Sequence, residues 1–545
     1  MPGSLALILH AHLPFVRHPE HEQFLEEDWF FEALTESYIP LLRMMQRLTE
    51  DCVPFKLTMS ITATLCAMLR DQLLRSRYVR HLDLLIDLAA RERKRNRNHQ
   101  RLRELADFYF TIFCETQRFF VDECKCDLLA SFRELHKSGR LEIIASAATH
   151  GLLPLLQEPV VTEGADLGVS AFGSRPLRST PATTAARAQI LIGCDIYADL
   201  FGVEPAGFWL PECAYSPDLQ SILQKTNIRW FVLDTHGLLF AKPRPARSIF
   251  APCYTPAGPA AFARDRDSSR QVWSAQGGYP GNAAYREFYR DAGFDLPLEH
   301  LGPVAHGTRK FSGVKYHRIT GTGDEKELYD PLAAARVAEM QAIHFLEERR
   351  QQIREVAAAG FEPIVVVPFD AELFGHWWFE GPHFLEQFIR QAANERDFQL
   401  STPSEYLAAN PTQQISEPAT STWGENGYFE VWLNPSNAWI YPQLHSAAQR
   451  MSEIARRHAE TCNSLTDRVL KQLTRELLLA QSSDWAFLMK TGTAREYATK
   501  RTIDHLARFN RLHDQLVNNT GDEEFLGECE SRDNLFPNVN WRYYV

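Results

Sequence analysis

The stretch PIVVVPFDAELFGHWW, residues 363–378, contains the clearest sign of the fold. Its first five residues, Pro363–Val367, are apolar without alternation, which predicts a strand of a parallel sheet that is covered on both faces. The run ends just before Asp370, and Trp377 follows seven residues later. A carboxyl group among aromatic rings at the end of a buried strand is typical of a catalytic site.

Six further apolar runs have the same character, and helix-like segments lie between most of them. Alternating strands and helices predict an α/β fold with a parallel sheet or barrel. Because seven strands are one fewer than the usual eight, we expect a distorted (β/α)7 barrel. The six runs are Leu5–Leu9, Phe55–Ile61, Arg140–Ala148, Gly207–Leu210, Trp230–Leu233 and Gln271–Ser274.

Polar and aromatic residues follow the ends of these predicted strands. The carboxyl ends of parallel strands meet at one edge, which is the active-site face of a barrel. We therefore expect these residues to form the active-site face of a barrel. They are His10 and His12, Thr62 and Thr64, His150, Glu212, Asp234 and His236, Trp273, and Asp370.

The remaining segments suggest three parts. Residues 1–68 and 139–410 are expected to form the catalytic barrel. Residues 69–138 are charged and nearly free of Gly and Pro, which predicts a helical insertion. Apolar residues recur at helical spacing from Ser436 to Asn518, so we expect residues 411–545 to be a helical C-terminal domain.

Composition limits the class of protein. The chain has 545 residues and a net charge of -11, which argues against nucleic acid as a partner. No apolar stretch approaches the roughly 20 residues of a membrane-spanning helix, and the first apolar run breaks at His10. The 10 cysteines form no CxxC pair. We therefore expect a cytoplasmic protein with reduced thiols, without membrane partners, and take a monomer as the working expectation.

Two carboxyl groups on different strands suit the cleavage of a glycosidic bond. A retaining mechanism needs a nucleophile and an acid about 5–5.5 Å apart. Glu212, in GFWLPECAY (207–215), has aromatic neighbours suited to a sugar, although a strand-end Glu can also simply pair with an Arg. Asp370 and Glu372 lie two residues apart, so an extended chain would point both to one face. One can then serve as the acid while the other raises its pKa.

The pair His10-Ala11-His12 places two imidazoles on one face of an extended segment. They could bind sugar hydroxyls, ligate a metal together with His150 and Asp370, or be structural. Tryptophans near the strand ends and in glycine-containing loops are either stacking platforms or core residues. They are Trp29, Trp273, Trp377, Trp378, Trp423 and Trp432.

Several motifs in order resemble glycoside hydrolase family 57, with the nearest similarity to its α-1,4-glucan branching enzymes. The similarity extends from about residue 4 to about residue 541. The motifs are HAHLPF (10–15), ATHG (148–151), WLPECAY (209–215), VWSA (272–275) with GYPG (278–281), FDAELFGHWW (369–378) and WGENG (423–427).

The resemblance implies a (β/α)7 barrel, a helical insertion, a helical C-terminal domain and a retaining mechanism on α-1,4-glucan without a metal or other cofactor. Glu212 would be the nucleophile and Asp370 the general acid and base. The implied glucose-binding residues are His10, His12 and His150, and the implied groove residues are Trp29, Trp273, Trp423 and Trp432. Asp234, His236 and Trp377 join the expected binding residues through their positions after strands.

The sequence departs from the branching pattern in two places. Extra residues are centred on Val160–Pro181, and the segment from Trp230 to Trp273 is short. Branching members of the family typically carry a mobile loop there, whose Tyr covers the site and keeps water out. Tyr254 is the one Tyr of this segment.

A branching enzyme is therefore the first hypothesis, and an α-amylase-type hydrolase with the same site is the second. A metal-dependent polysaccharide deacetylase or mannosidase-like barrel enzyme is the third, and a non-catalytic glucan-binding protein is the fourth.

Overall fold

The computed structural model describes residues 3–157, 184–274, 277–305, 307–321, 325–460 and 463–545. The extra residues predicted around Val160–Pro181 lie outside the described residues. None of the described helices combines the length and the apolar character needed to cross a membrane.

Six of the seven predicted strands are confirmed, and the alternation of parallel strands with helices confirms the α/β class. The described strands are β1 (Gly3–Ala11), β2 (Leu57–Ile61), β3 (Leu141–Ser146), β4 (Gly207–Trp209), β5 (Trp230–Leu233), β6 (Cys253–Tyr254), β7 (Ala260–Ala263), β8 (Ile364–Asp370) and β9 (Phe398–Leu400).

Helices occupy most of the chain between and after the strands. The α-helices are α1 (Glu27–Ala33), α2 (Ile39–Glu50), α3 (Ala63–Arg70), α4 (Gln72–Arg95), α5 (Gln100–Arg118), α6 (Leu128–Lys137), α7 (Thr184–Phe201), α8 (Gln220–Leu223), α9 (Thr235–Leu239), α10 (Arg266–Trp273), α11 (Ala292–Asp295), α12 (Leu298–Leu301), α13 (Pro331–Ala357), α14 (Gly381–Ala392), α15 (Pro403–Ala409), α16 (Ile440–Arg457), α17 (Ser464–Ala480), α18 (Ser483–Thr491), α19 (Arg495–Asn518) and α20 (Glu523–Arg532).

The strand predicted at Gln271–Ser274 is wrong, because these residues end helix α10. The side chain of Asp265 caps that helix by accepting a hydrogen bond from the backbone N–H of Ser268 at 2.8 Å. Strands β6, β7 and β9 were not predicted. The sequence of β7, Ala-Ala-Phe-Ala, is fully buried but has no β-branched residue, and β6 and β9 are only 2 and 3 residues long. Trp273 therefore lies at the end of a helix instead of a strand.

Both predicted helical regions are confirmed as helices. Helices α4, α5 and α6 lie between β2 and β3, and α16 to α20 follow residue 439. Their apolar faces are buried, as the helical spacing of Leu and aromatic residues predicts. The three domain boundaries given above remain a prediction.

The chain forms two compact units, which are described separately. The first unit comprises Met1–Met59, Met68–Ile143 and Arg264–Ala409. In it β1 is parallel to β8, with Ser4 opposite Ile364 and His10 opposite Asp370, and β9 is parallel to β1. This register places the carboxyl ends of β1 and β8 side by side.

The second unit comprises Ser60–Ala67, Ile144–Ala263 and Asn410–Val545. In it β4 lies parallel to both β3 and β5, and β7 lies parallel to β5. The short strand β6 is antiparallel to β7. The turn that follows β4 carries Glu212, and the turn that follows β5 carries Asp234.

Candidate active site

Glu212 has a backbone conformation that is uncommon for its residue type. It follows β4 with φ 61° and ψ 23°, in the left-handed region, and the next residue, Cys213, has φ 49°. Each such residue costs roughly 1–2 kcal/mol, and conformations of this kind cluster at functional sites. The strain is consistent with a turn that is shaped to direct the Glu212 side chain.

The Glu212 carboxylate is held by groups of the second unit. Trp423 donates its indole N–H to Oε2 at 2.7 Å, and Ser483 Oγ donates to Oε1 at 3.4 Å. The Nδ1 of His150 lies 3.7 Å from Oε1. Hydrogen bonds of this kind stabilise a carboxylate and fix its orientation. About 16% of the Glu212 side chain remains exposed, so the group is accessible.

His150 is positioned by helix α18. Its Nδ1 is 2.9 Å from Ser483 Oγ, and Ser483 donates its backbone N–H to the His150 carbonyl at 3.1 Å. His150 also has a left-handed backbone, with φ 57°. The contact of Ser483 with both residues went unpredicted, because no local sequence signal marks it.

Asp234 and His236 stabilise the turn that carries Trp423. The imidazole Nδ1 of His236 is 3.1 Å from Asp234 Oδ1, and its Nε2 is 2.8 Å from the Gly427 carbonyl. The hydrogen bond to Asp234 is the main cause of a raised His236 pKa. A Cβ at Gly427 would lie 2.6 Å from the His236 ring, so this position requires glycine.

In the first unit, the ends of β1 and β8 bring His10 and Asp370 into register. The rings of His10 and His12 stack, with centroids 5.8 Å apart and an interplanar angle of 24°. The predicted common face of these two imidazoles is confirmed.

The surroundings of Asp370 favour its protonated form. Burial raises its pKa, the charge of Glu372 raises it further, and Arg264 offsets only part of this, which leaves the pKa at about 8. The Asp370 carboxyl group therefore holds its proton at neutral pH. A group that donates a proton to a leaving oxygen needs this property.

Glu372 occupies the turn Ala371–Leu373 instead of the extended continuation that we expected. Its Oε1 accepts hydrogen bonds from the Tyr38 hydroxyl and from the backbone N–H of His12, the latter at 3.1 Å. Burial raises the pKa of Glu372 to about 7, although these hydrogen bonds oppose the shift. Tyr38 is a further residue of this arrangement that sequence reasoning missed.

The predicted tryptophans differ in exposure. Trp377 is 53% exposed and Trp273 is 46% exposed, whereas Trp29 in α1 and Trp423 are partly buried. Trp378 and Trp432 are each 1% exposed, and the Trp432 ring lies under Gly424. In this structure Trp432 presents no open face to a sugar and instead supports the Trp423 turn.

His10, His12 and Asp370 are the residues of the first unit that the metal hypothesis names. Imidazoles and a carboxyl group can also exchange hydrogen bonds with sugar hydroxyls, so the metal and the sugar hypotheses share these residues.

Comparisons with known proteins support the predicted resemblance to glycoside hydrolase family 57. The family model described as glycosyl hydrolase family 57 matches residues 6–296, and the model described as 1,4-alpha-glucan branching enzyme, C-terminal, matches residues 443–544. A curated 1,4-alpha-glucan branching enzyme of Thermococcus kodakarensis is 33% identical, over 100% of this chain and 79% of its own length.

Solved structures support the same assignment and confirm the predicted fold class. The α-amylase AmyC of Thermotoga maritima has a TM-score of 0.89 and 40% identity, over 100% of this chain and 99% of its own. The GH57-type branching enzyme of Pyrococcus horikoshii has a TM-score of 0.86 and 33% identity, over 100% and 97%. The predicted family is therefore confirmed, and the chain belongs to glycosyl hydrolase family 57.

Proposed function

We propose that the protein is a retaining 1,4-α-glucan branching enzyme, which cuts an α-1,4 bond and transfers the released chain to a 6-hydroxyl group. Membership of the family and the match of residues 443–544 to the branching enzyme C-terminal model support the reaction class. The observation that carries the mechanism is the contrast between two carboxyl groups: burial raises the pKa of Asp370 to about 8, whereas Glu212 accepts a hydrogen bond from the Trp423 indole N–H.

In the first step, Glu212 attacks the anomeric carbon of the glucosyl unit at the bond to be cut. Asp370 gives its proton to the leaving oxygen as the glycosidic C–O bond breaks. An ester now joins Glu212 to the anomeric carbon, and Asp370 is left as a carboxylate. Trp423 and Ser483 hold the Glu212 carboxylate for this attack.

In the second step, Asp370 removes the proton from the 6-hydroxyl of an acceptor chain. The acceptor oxygen bonds to the anomeric carbon, the ester breaks, and Glu212 and Asp370 return to their starting forms. Two inversions leave the product with the α-configuration. We assign substrate binding to His10, His12, His150, Asp234 and His236, and to the tryptophans at 29, 273, 377 and 423. Trp432 is buried and supports the turn of Trp423 instead.

Hydrolysis is the second candidate, because the segment expected to form a lid is fixed in place. Tyr254 lies in β6, its hydroxyl donates to the Pro411 carbonyl at 3.2 Å, and its N–H donates to the Gln414 carbonyl at 2.9 Å. A Tyr that is bonded in this way does not serve as a mobile cover against water. The 40% identity with an α-amylase fits the same candidate.

Incubation with amylose distinguishes the two outcomes. We expect new α-1,6 linkages, measured by proton NMR and by debranching, to exceed new reducing ends. Reducing ends without α-1,6 linkages would assign the protein to the hydrolases. Tyr254→Phe should leave this ratio unchanged, because the hydroxyl that it removes is bonded to Pro411.

We also propose that the enzyme works as a monomer in the cytoplasm, on α-1,4-glucan of the amylose, starch or glycogen type, and in glycogen synthesis. The net charge of -11 supports a partner other than nucleic acid. Sedimentation of the purified protein, alone and with amylose, tests the monomer and the partner together.

A further inference from the structure

A buried glutamine joins two segments of the second unit. Gln189 lies in helix α7 and is fully buried, at 0% exposure. Hydrogen bonds link its side-chain amide to the backbone N–H and the hydroxyl of Thr149 and to the side chain of Gln481. Burying an amide is unfavourable unless such bonds satisfy it. Gln189 is therefore held in one position by its partners, and it fixes their positions in turn.

One part of this network fixes the segment before His150. Gln189 Oε1 accepts a hydrogen bond from the backbone N–H of Thr149 at 3.0 Å, and its Nε2 donates to the Thr149 hydroxyl at 2.9 Å. The backbone carbonyl of Gln189 accepts a hydrogen bond from the N–H of Ala148 at 2.9 Å. The Thr149 hydroxyl donates to the carbonyl of Leu478 in helix α17. These bonds hold the two residues that precede His150.

The same amide contacts the turn that carries Ser483. Gln189 Nε2 donates to Gln481 Oε1 at 3.1 Å. Gln481 is the residue that directly follows helix α17, and it lies two residues before Ser483. Ser483 donates its backbone N–H to the His150 carbonyl at 3.1 Å, so the two segments also contact each other directly. Gln189 thus sets the position of one segment relative to the other.

Helix α7 is itself fixed against the end of β3. Gly193 follows Gln189 by four residues, which places both on one face of the helix. A Cβ at Gly193 would lie 2.1 Å from the backbone oxygen of Ser146, the last residue of β3. Because this close approach requires glycine, the helix lies directly against the end of the strand that leads to His150.

The conformation of His150 shows why it needs such support. Its backbone has φ 57°, in the left-handed region, which is unfavourable for a residue other than glycine. Conformations of this kind persist only where the surrounding structure holds them. The His150 Nδ1 lies 2.9 Å from Ser483 Oγ, which donates to Glu212 Oε1 at 3.4 Å. A shift of either segment would therefore move these groups relative to the Glu212 carboxylate.

We propose that Gln189 is a positioning residue for the nucleophile, and that it acts through the two segments that its amide joins. It keeps His150 and Ser483 in the arrangement that orients the Glu212 carboxylate. Because Gln189 acts through other residues, its loss should slow the attack on the sugar and leave the affinity for glucan unchanged. The inference rests on the proposed function, because it takes Glu212 as the group that attacks the anomeric carbon.

Fluoride release from α-maltosyl fluoride by Asp370→Asn protein measures the attack by Glu212 separately. This leaving group needs no acid, and the ester resolves slowly without the Asp370 base, so rapid mixing should give a burst of fluoride. Adding Gln189→Met, which fills the space but cannot make the amide hydrogen bonds, should slow the burst about tenfold or more. The affinity for maltoheptaose, measured by calorimetry, should stay within about twofold, because stacking and hydrogen bonding to the sugar are unchanged.

Thr149 provides a second pair of variants with smaller changes. Thr149→Val keeps the shape of the side chain but removes the hydroxyl that Gln189 contacts, and it should also slow the burst. Thr149→Ser keeps the hydroxyl and should restore the rate. This pair decides the question if Gln189→Met gives too little folded protein.

Gln472→Met is the matched control. Gln472 is likewise 0% exposed in the second unit, and its amide donates to Glu476 at 2.8 Å. The variant should lower the free energy of unfolding to a similar extent as Gln189→Met, because each loses buried hydrogen bonds. It should leave the burst rate within about twofold, because Gln472 does not join the two segments.

An unchanged burst rate in folded Gln189→Met and Thr149→Val proteins would overturn the inference and leave the proposed function in place. An equal slowing in Gln472→Met would also overturn it, because the effect would then follow from lost stability and not from positioning. The absence of a burst in Asp370→Asn protein itself would contradict the role of Glu212 and overturn both.

Discussion

At the scale of single residues, two carboxyl groups have opposite environments. Trp423 and Ser483 donate hydrogen bonds to Glu212, which favours its charged form. Burial and the neighbouring charge of Glu372 favour the protonated form of Asp370. Such a division is what separates a nucleophile from an acid in one catalytic cycle.

The sequence indicated both carboxyl groups because each follows a buried strand among aromatic residues. It could not indicate Ser483 or Tyr38, which contact Glu212 and Glu372 from 271 and 334 residues away along the chain. Contacts at such separations depend on tertiary structure, and neither residue belongs to a local motif. The left-handed backbone conformation of Glu212 could not be predicted either, because no glycine marks that position in the sequence.

Replacing Glu372 with Gln should move the alkaline limb of the kcat–pH profile to lower pH by about one unit. The pKa of Asp370 is raised to about 8, so wild-type activity should fall as pH rises through 8 and the acid loses its proton. Removing the Glu372 charge removes part of that rise. The profile with amylose, from pH 5 to pH 10, gives the measurement.

The exposed Glu355 of helix α13 provides the control for this experiment. Glu355→Gln removes the same charge at the surface and should leave the alkaline limb in place. A Glu372→Gln profile that coincides with the wild-type profile would show that Glu372 does not set the proton affinity of Asp370.

At the scale of elements, six strands and both helical regions could be predicted because continuous apolar runs and helical periodicity are strong local signals. Strand β7 was missed because three of its four residues are alanine. The apolar run Gln271–Ser274, at the end of α10, was predicted as a strand instead. The run Gln271–Ser274 is a short and therefore weak strand signal, and the N-cap at Asp265 favours a helix here. Burial of β7 arises from its neighbours in the sheet, which a local pattern does not contain.

The turn after β8 should be intolerant of a side chain at Gly375. A Cβ there would lie 1.7 Å from the Glu36 carbonyl oxygen, and φ is +115°. We expect Gly375→Ala to lower the free energy of unfolding by about 3 kcal/mol or more, through backbone strain and overlap. Chemical unfolding followed by tryptophan fluorescence measures the loss.

Gly360 is the matched control for the backbone. It also has a positive φ, +86°, but a Cβ there would meet no atom within 4 Å. Gly360→Ala should cost only about 1 kcal/mol, the strain of the left-handed conformation. Equal losses in the two variants would mean that the close approach of Gly375 to Glu36 contributes nothing to stability.

At the scale of the whole molecule, the family assignment distinguishes the carbohydrate hypotheses from the metal hypothesis. The sequence left both open, because His10, His12 and Asp370 are also metal-ligand types. A retaining glycosidase of the proposed kind uses only carboxyl groups for bond cleavage. Dialysis against a chelator, followed by metal analysis, should therefore leave amylose conversion at the untreated level.

A loss of activity that added zinc restores would contradict the proposed mechanism and support a deacetylase-like or mannosidase-like reaction. The free energy of unfolding, measured on the same dialysed sample, provides the control. An unchanged value shows that a loss of activity does not come from unfolding.

The central claim is that Glu212 carries the sugar between the two steps. An α-maltosyl fluoride needs no acid to lose its fluoride, so Asp370→Asn should form the ester but resolve it slowly, because its general base is missing. Mass spectrometry of the digested variant should show one maltosyl group on the peptide that contains Glu212, and Glu212→Gln/Asp370→Asn should show none. A maltosyl group on another residue, or turnover of the fluoride to a β-configured product, would contradict the account.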